Sequence, residues 1–342
     1  MLTTQAKKTE NPPVMQVFMH KHAKNSICGY INRYTGTLDA SLCKKRFSTG
    51  FPNIDAALTG GITPGIIVLG AESGAGKSTL SLQIATQMAA DGQPVLYFSR
   101  EMTADDLAAK IVSRYTYVND GSASCSFSWS SSDLRNADVL LSLEPEEQEA
   151  IHAAAAAAKA VGDKLTIIEG LDTKTVGAIA EYVYWYIRCK NQKPVVIVDY
   201  LQILAPDMKT LNDKQAMDYN MDAMKQLADH YSIPVIVISS LNRESYDGDL
   251  TMRAFKGSGN IEYTADVALG LQISQTSKKT KDSDEDPIRN VDLVILKQRY
   301  GPCGDKIPLE FHPRFSYFND LSSFSRCGCN LPNEFEDSEE LK

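Results

Sequence analysis

No run of apolar residues in this 342-residue chain approaches the roughly 20 needed to span a bilayer as a helix, so no membrane anchor of that kind is expected. The N-terminus, MLTTQAKKTENPPVMQVFMHKH, carries a proline pair and a short broken apolar stretch, and is not read as a secretory signal. A cysteine framework is also missing. Cys28, Cys43, Cys125, Cys189, Cys303, Cys327 and Cys329 are scattered, odd in number and without a CxxC pair. That usage fits reduced thiols in a cytoplasmic compartment. Cys327-Gly328-Cys329 is the one close pair, and loop thiols beside a charged tail are a simpler reading than a redox or metal role. The five histidines lack ligand spacing, and His20 and His22 are read as tail residues. Excess positive charge is absent too. A formal net charge of −8 argues against tight nonspecific duplex binding by a single chain. It leaves room for a basic channel inside an oligomer, because Glu334, Glu336, Asp337, Glu339 and Glu340 place part of the charge in a tail expected to be disordered.

What is present is enough apolar material, 43% of residues, for one large core or two modest ones. There is no internal repeat. Residues 1–46 read as a polar leader or linker with a weak helical stripe (Ile27, Tyr30, Ile31, Tyr34), able to pack on its own domain or on a neighbouring subunit. Apolar runs at 66–69, 95–99, 164–169, 195–199, 234–240 and 267–273 read as strands alternating with helices at 104–115, 145–161, 176–189 and 213–231. Segments 291–297, 306–311 and 315–318 read as closing antiparallel strands. Residues 242–260 read as a mobile loop, 274–290 as a disordered one, and 321–342 as an acidic tail. In the serine-rich loop 119–132, Phe127 and Trp129 either pin the loop to the core or touch a base or partner. The expected fold is therefore a single α/β domain over 47–320. It has a mostly parallel central sheet flanked by helices and antiparallel strands at its C-terminal edge.

The chemistry starts at Ile66–Ala85, IIVLGAESGAGKSTLSLQIA: an apolar strand, a small-residue turn and an amphipathic helix. That order is the context a phosphate-binding Walker A loop requires. Unpaired N–H groups at a helix N-terminus face the polyphosphate, and Gly74 and Gly76 allow close approach of the backbone. Counting back from Gly76-Lys77-Ser78, the first glycine of the motif falls on Ala71, which the looser form of the motif admits. Ala71, Ser73, Gly74, Ala75, Gly76, Lys77, Ser78 and Thr79 are thus the candidate ATP-binding residues. Lys77 is the charge for the β- and γ-phosphates and Ser78 the hydroxyl ligand for Mg²⁺. Asp199, closing the apolar strand VVIVD, suits a second Mg²⁺ carboxylate better than a helix-capping aspartate. Glu101, just past a neighbouring strand, is placed either to polarise an attacking water or as a surface glutamate; its position alone does not decide.

VDYLQIL (198–204), FSREM (98–102), ISSLNRE (238–244), GNIEYTAD (259–266) and LKQRYGPCG (296–304) resemble, in order and spacing, the motor domain of the DnaB-type replicative helicases. TGFPNIDAAL (49–58) is similar to their approach segment. The resemblance implies a RecA-like P-loop NTPase, a homo-oligomeric ring, typically a hexamer, that binds ATP between subunits and moves on single-stranded DNA. It makes Glu101 the catalytic base and matches Arg299, with Lys297 nearby, to a finger that reaches the neighbouring subunit's γ-phosphate. It places Pro206–Asn220 and Arg243–Asn260 at a central channel, with Lys209, Lys214, Arg253 and Lys256 as DNA phosphate contacts, although any solvated loop holds such cations. Two departures stand out. Ser240 occupies a position where many of these helicases have Gln. Residues 1–46 are also too few for the accessory N-terminal domain, so processive unwinding and contact with a primase or helicase loader are not carried over with the motor. The expectation is an ATP-driven DNA helicase or translocase acting in replication. The alternative is a RecA- or KaiC-like ATP-switched adaptor that binds nucleotide and partners without unwinding; a strand-exchange ATPase ranks below both.

Overall fold

The computed structural model describes residues 26–28, 31, 45–122, 125–170, 174–206, 211–242, 249–255, 258–274 and 288–321. The leader up to residue 24, the tail from 322 and most of the 274–290 loop lie outside the described residues. The chain divides into a unit at residues 1–45 and a second at 46–342. In the first, Ile27, Cys28 and Ile31 are helical, and both isoleucines are exposed.

The second unit is organised by strands that are apolar on both faces. The described residues form one nine-stranded sheet. Its strands are β1 (Gly65–Ala71), β2 (Val95–Ser99), β3 (Leu165–Glu169), β4 (Val195–Asp199), β5 (Pro234–Ser240), β6 (Val267–Ile273), β7 (Arg289–Gln298), β8 (Lys306–His312) and β9 (Tyr317–Asp320). The order is β3-β2-β4-β5-β1-β6-β7-β8-β9. β1 to β6 run parallel, and β7, β8 and β9 close the edge antiparallel, as the sequence pattern predicts. Helices α1 (Pro52–Ala57), α2 (Lys77–Ala90), α3 (Ala104–Asn119), α4 (Ala137–Leu141), α5 (Pro145–Lys159), α6 (Val176–Lys190), α7 (Asp213–Tyr231) and α8 (Ser258–Thr264) complete it.

Because successive strand residues face opposite ways, each central strand feeds two cores. Ile67, Leu69, Ile197 and Ile236 pack with Leu80, Ile84 and Met88 of α2 and Leu107 of α3. Ile66, Val68, Val196, Val198 and Val237 pack on the other face with Ile179 and Val183 of α6 and Met221 and Met224 of α7. Each such side chain contributes roughly 2 kcal/mol by leaving water. Helix starts are marked chemically. Thr103 with Asp106, Glu144 with Glu147, and Asn212 with Gln215 form reciprocal capping boxes, and Pro145 opens α5.

Four local expectations need correction. β7 begins at Arg289, inside the segment read as disordered, because Arg289 and Asn290 pair with Phe311 and Glu310 of β8. The 242–260 segment is not a free loop where it is described: Leu250, Ala254 and Phe255 are buried, Phe255 bridges to Leu241, and α8 begins at Ser258. The segment 206–220, matched above to a channel loop, is helical from Asp213, where α7 begins as the apolar pattern predicts, and buried Asn220 of α7 donates to the Leu204 carbonyl at 3.0 Å. The serine-rich loop is held by polar groups. Asp120 accepts from Ser122, Ser128 and the Phe127 N–H, and Ser113 donates to the Trp129 carbonyl, with Ser128 and Ser130 buried deeper than either aromatic.

The parallel strands finish together. Ser99 lies opposite Asp199 and Ala71 opposite Ser240, so their C-terminal ends form one rim. Crevices beyond such ends are where open α/β sheets bind ligands.

Candidate nucleotide site and its distant arginine

The phosphate loop runs from the end of β1 to the first turn of α2. Ala71 is buried at the strand end, Ser73 and Gly74 are exposed, and Ala75 is buried beneath the loop. Gly74 and Gly76 have φ of 80° and 91°, the left-handed region that favours glycine. Packing adds a second reason at Gly76. A Cβ there would lie 2.7 Å from Cζ of Phe318 and 2.9 Å from Cζ of Phe311, whose rings stack at 4.3 Å. Gly76 is the N-cap of α2 and offers no side-chain cap, which leaves the first N–H groups of the helix to an anion. Buried Thr79 accepts from Lys110 Nζ at 3.5 Å. Arg289, at the start of β7, donates from Nη1 to the Gly74 carbonyl at 2.9 Å.

The sheet brings Lys77, Ser78, Glu101 and Asp199 together at this rim. Lys77 Nζ lies 3.7 Å from Glu101 Oε2 and 5.7 Å from the centre of the Tyr200 ring. Glu101 follows β2 and is exposed; Asp199 ends β4 and is 1% exposed. Tyr97 donates its hydroxyl to Asp199 Oδ2 at 3.0 Å, and the Ser78 hydroxyl stands beside the same carboxylate. Burial holds the Asp199 carboxyl above its ordinary value of 3.8, against the pull of Ser78, Tyr97 and the Lys77 charge. Asp199 Oδ1 is buried with no hydrogen bond among the described residues. A buried, unpartnered carboxylate oxygen beside a serine hydroxyl is a donor set suited to a hard divalent cation. Ser240 contributes its backbone: its N–H donates to Gln202 Oε1 at 3.4 Å, while Gln202 Nε2 donates to Ser239 Oγ at 2.8 Å.

Arg299 lies at the other end of the sheet. It follows β7, its N–H donates to the Asp266 carbonyl, and its Nη1 is 2.9 Å from Asp266 Oδ1. Asp266 Oδ2 also accepts from the Ile66 N–H and Lys225 Nζ, each at 2.9 Å. Burial alone would lower the Lys225 ammonium, but Asp229 and Asp266 raise it. Lys297 donates to the Glu262 carbonyl, and burial followed by the Arg299 charge lowers it. Ile66 starts the strand that Ala71 ends, so about 17–20 Å of β-strand separates Arg299 from the phosphate loop of its own chain. Its side chain is 45% exposed.

Of the channel candidates, Lys214 is exposed on the first turn of α7 and Arg253 is exposed on a short 3-10 turn; Lys209 and Lys256 lie outside the described residues. Tyr97, Arg289, Gln202 and the clamp role of Asp266 were not found from sequence. Only Asp266, as the end of GNIEYTAD, and Gln202, within VDYLQIL, carried any signal. Among the described residues Cys125, Cys189 and Cys303 are free thiols, no His/Cys/acid cluster forms a metal site, and no helix is long and apolar enough to cross a membrane.

The family model for the DnaB-like helicase C terminal domain matches residues 47–320. The replicative DNA helicase DnaB of Leifsonia xyli subsp. xyli (strain CTCB07) is 27% identical over 284 residues, covering 80% of this chain and 56% of the relative. This chain spans little more than half the length of the curated relatives it matches. Among solved structures, one ATPase domain superposes with a TM-score of 0.71 at 20% identity, over 87% of this chain and 99% of that one. A DnaB-like replicative helicase studied for its interactions with primase gives 0.71 at 19% identity, over 90% and 71%. Both superpositions place the chain in a shared fold.

Proposed function

This chain belongs to the DnaB-like helicase C terminal domain family, and from that premise we propose that it is an ATP-hydrolysing ring motor acting on single-stranded DNA in replication. The observation that carries this reading is the separation of its parts. Lys77, Ser78, Glu101 and Asp199 gather at one end of the sheet, while Arg299 is clamped at the other, beyond reach of its own loop. Such a chain is complete only when a second copy offers its arginine, which ties hydrolysis to assembly.

Within that scheme the N–H groups of α2 and the Lys77 ammonium hold the β- and γ-phosphates. Ser78 and Asp199 hold Mg²⁺, which when bound spreads the charge of the β- and γ-phosphate oxygens. Glu101, whose Oε2 lies 3.7 Å from Lys77 Nζ, accepts the proton of the attacking water. Arg299, assisted by Lys297, stabilises the charge on the neighbour's transferring phosphoryl group. Lys209, Lys214, Arg253 and Lys256 line the channel and contact DNA phosphates. A cytoplasmic hexamer and exchange with a primase or loader complete the proposal. The adaptor reading lacks comparable support, since a carboxylate at the position of Glu101 serves turnover rather than binding.

The test is ATP hydrolysis and strand displacement with and without oligo-dT in an assembled sample. Lys77→Ala abolishes turnover. Arg299→Ala keeps nucleotide binding and loses about a thousandfold in hydrolysis. No stimulation by single strands would reject the motor.

A further inference from the structure

Tyr97 is a polar side chain in an apolar place. It lies on β2, fully buried among the residues of one core, with Ile197 of β4 as its register partner. A phenylalanine would fill the same space, so the hydroxyl needs its own explanation. It is bonded on two sides: to Asp199 Oδ2 at 3.0 Å and to Ser81 Oγ at 2.9 Å. A carboxylate only accepts, so the phenol proton points to Asp199. With the phenol proton on Asp199, the single Ser81 proton is left for the Tyr97 oxygen, the Ser78 carbonyl 3.0 Å away being its alternative acceptor. The Ser78 hydroxyl lies near enough to Asp199 to pull its carboxyl down.

We propose that Tyr97 is a positioning residue for the divalent cation: its hydroxyl, fixed by Ser81, holds Asp199 Oδ2 and so leaves Oδ1 as the oxygen offered to the metal. The inference rests on the nucleotide-site reading above. A carboxylate rotates about its terminal torsion in a broad well, and a charge-assisted hydrogen bond to one oxygen selects one orientation. Partners of this kind govern metal affinity without touching the metal.

The experiment compares the parent chain with Tyr97→Phe. Binding of a fluorescent nonhydrolysable ATP analogue is measured in EDTA, and Mn²⁺ binding to the protein–analogue complex is followed by electron paramagnetic resonance. Tyr97→Phe weakens Mn²⁺ about tenfold and leaves metal-free nucleotide binding within about twofold. Unchanged Mn²⁺ affinity overturns the proposal, as does a parallel loss of metal-free binding, which would mark a merely structural role. If Tyr97→Phe does not fold, Ser81→Ala decides by the same assay: a loss of about threefold confined to Mn²⁺ supports the proposal, and no loss overturns it. Lys77→Ala is the control. If it leaves metal-free nucleotide binding intact, the nucleotide-site reading fails rather than the role of Tyr97.

Discussion

Asp199 is charged where charge is disfavoured. Burial raises its carboxyl above 3.8 despite the bond from Tyr97, the nearby Ser78 hydroxyl and the charge of Lys77. The folded chain then holds that proton more tightly than the unfolded chain. Nucleotide-free stability should therefore fall as pH rises from the ordinary value through the raised folded value. Asp199→Asn removes this penalty. Above that window it should be roughly 1 kcal/mol more stable than the parent in chemical denaturation, while losing magnesium-dependent hydrolysis. Equal stability of the two chains across that range would contradict the account. Glu101 tests the other carboxylate. Glu101→Gln should keep nucleotide affinity within a few-fold and lose at least about a hundredfold in hydrolysis rate, measured as single turnover. Lys77, Ser78 and Asp199 were legible in the sequence because their spacing within one strand–turn–helix or one strand end is itself the signal. Tyr97 and Arg289 were not, because their partners are set by registry between distant strands. A tyrosine inside VLYFS looks like any other core residue until β4 is laid beside it.

At the scale of elements, the phosphate loop is buttressed by the C-terminal hairpin. Gln83 of α2 exchanges two hydrogen bonds with the Phe318 backbone, and Asp320 accepts from the Asn53 backbone and side chain. The stacked rings of Phe311 and Phe318 then press against Gly76. Gly92 provides the comparison, with φ of 79° and no atom within 4 Å of where a Cβ would stand. Gly92→Ala should cost about 1 kcal/mol from backbone strain alone. Gly76→Ala should cost more, by about 2 kcal/mol, because two rings must also move. Equal losses by denaturant titration would remove the buttress from the account. Most elements were readable as apolar runs between turn residues, down to the antiparallel edge. The start of β7 and the anchored stretch around Phe255 were not. Polar Arg289 and Asn290 are in a strand because β8 pairs their backbone, and the short apolar alternation at 250–255 is hidden inside a polar, glycine-containing segment.

At the scale of the molecule, one feature of the sheet organises the rest: β7 runs antiparallel to β6 and carries Arg299 to the end of the sheet opposite the phosphate loop. Asp266 joins that arginine, Lys225 and the Ile66 N–H of β1 into a fixed cluster. Asp266→Ala should therefore leave nucleotide binding unchanged and lower hydrolysis by about tenfold or more, since the guanidinium loses its positioning partner. Reduced binding without reduced turnover would place Asp266 elsewhere in the scheme. The most direct measurement mixes two inactive chains, Lys77→Ala and Arg299→Ala, in equal amounts and follows ATP hydrolysis with single-stranded DNA. With an intact loop from one chain meeting an intact arginine from the other, activity should return to about a quarter of the parent's if seams act independently. A mixture no more active than either chain alone would contradict an arginine supplied across a seam.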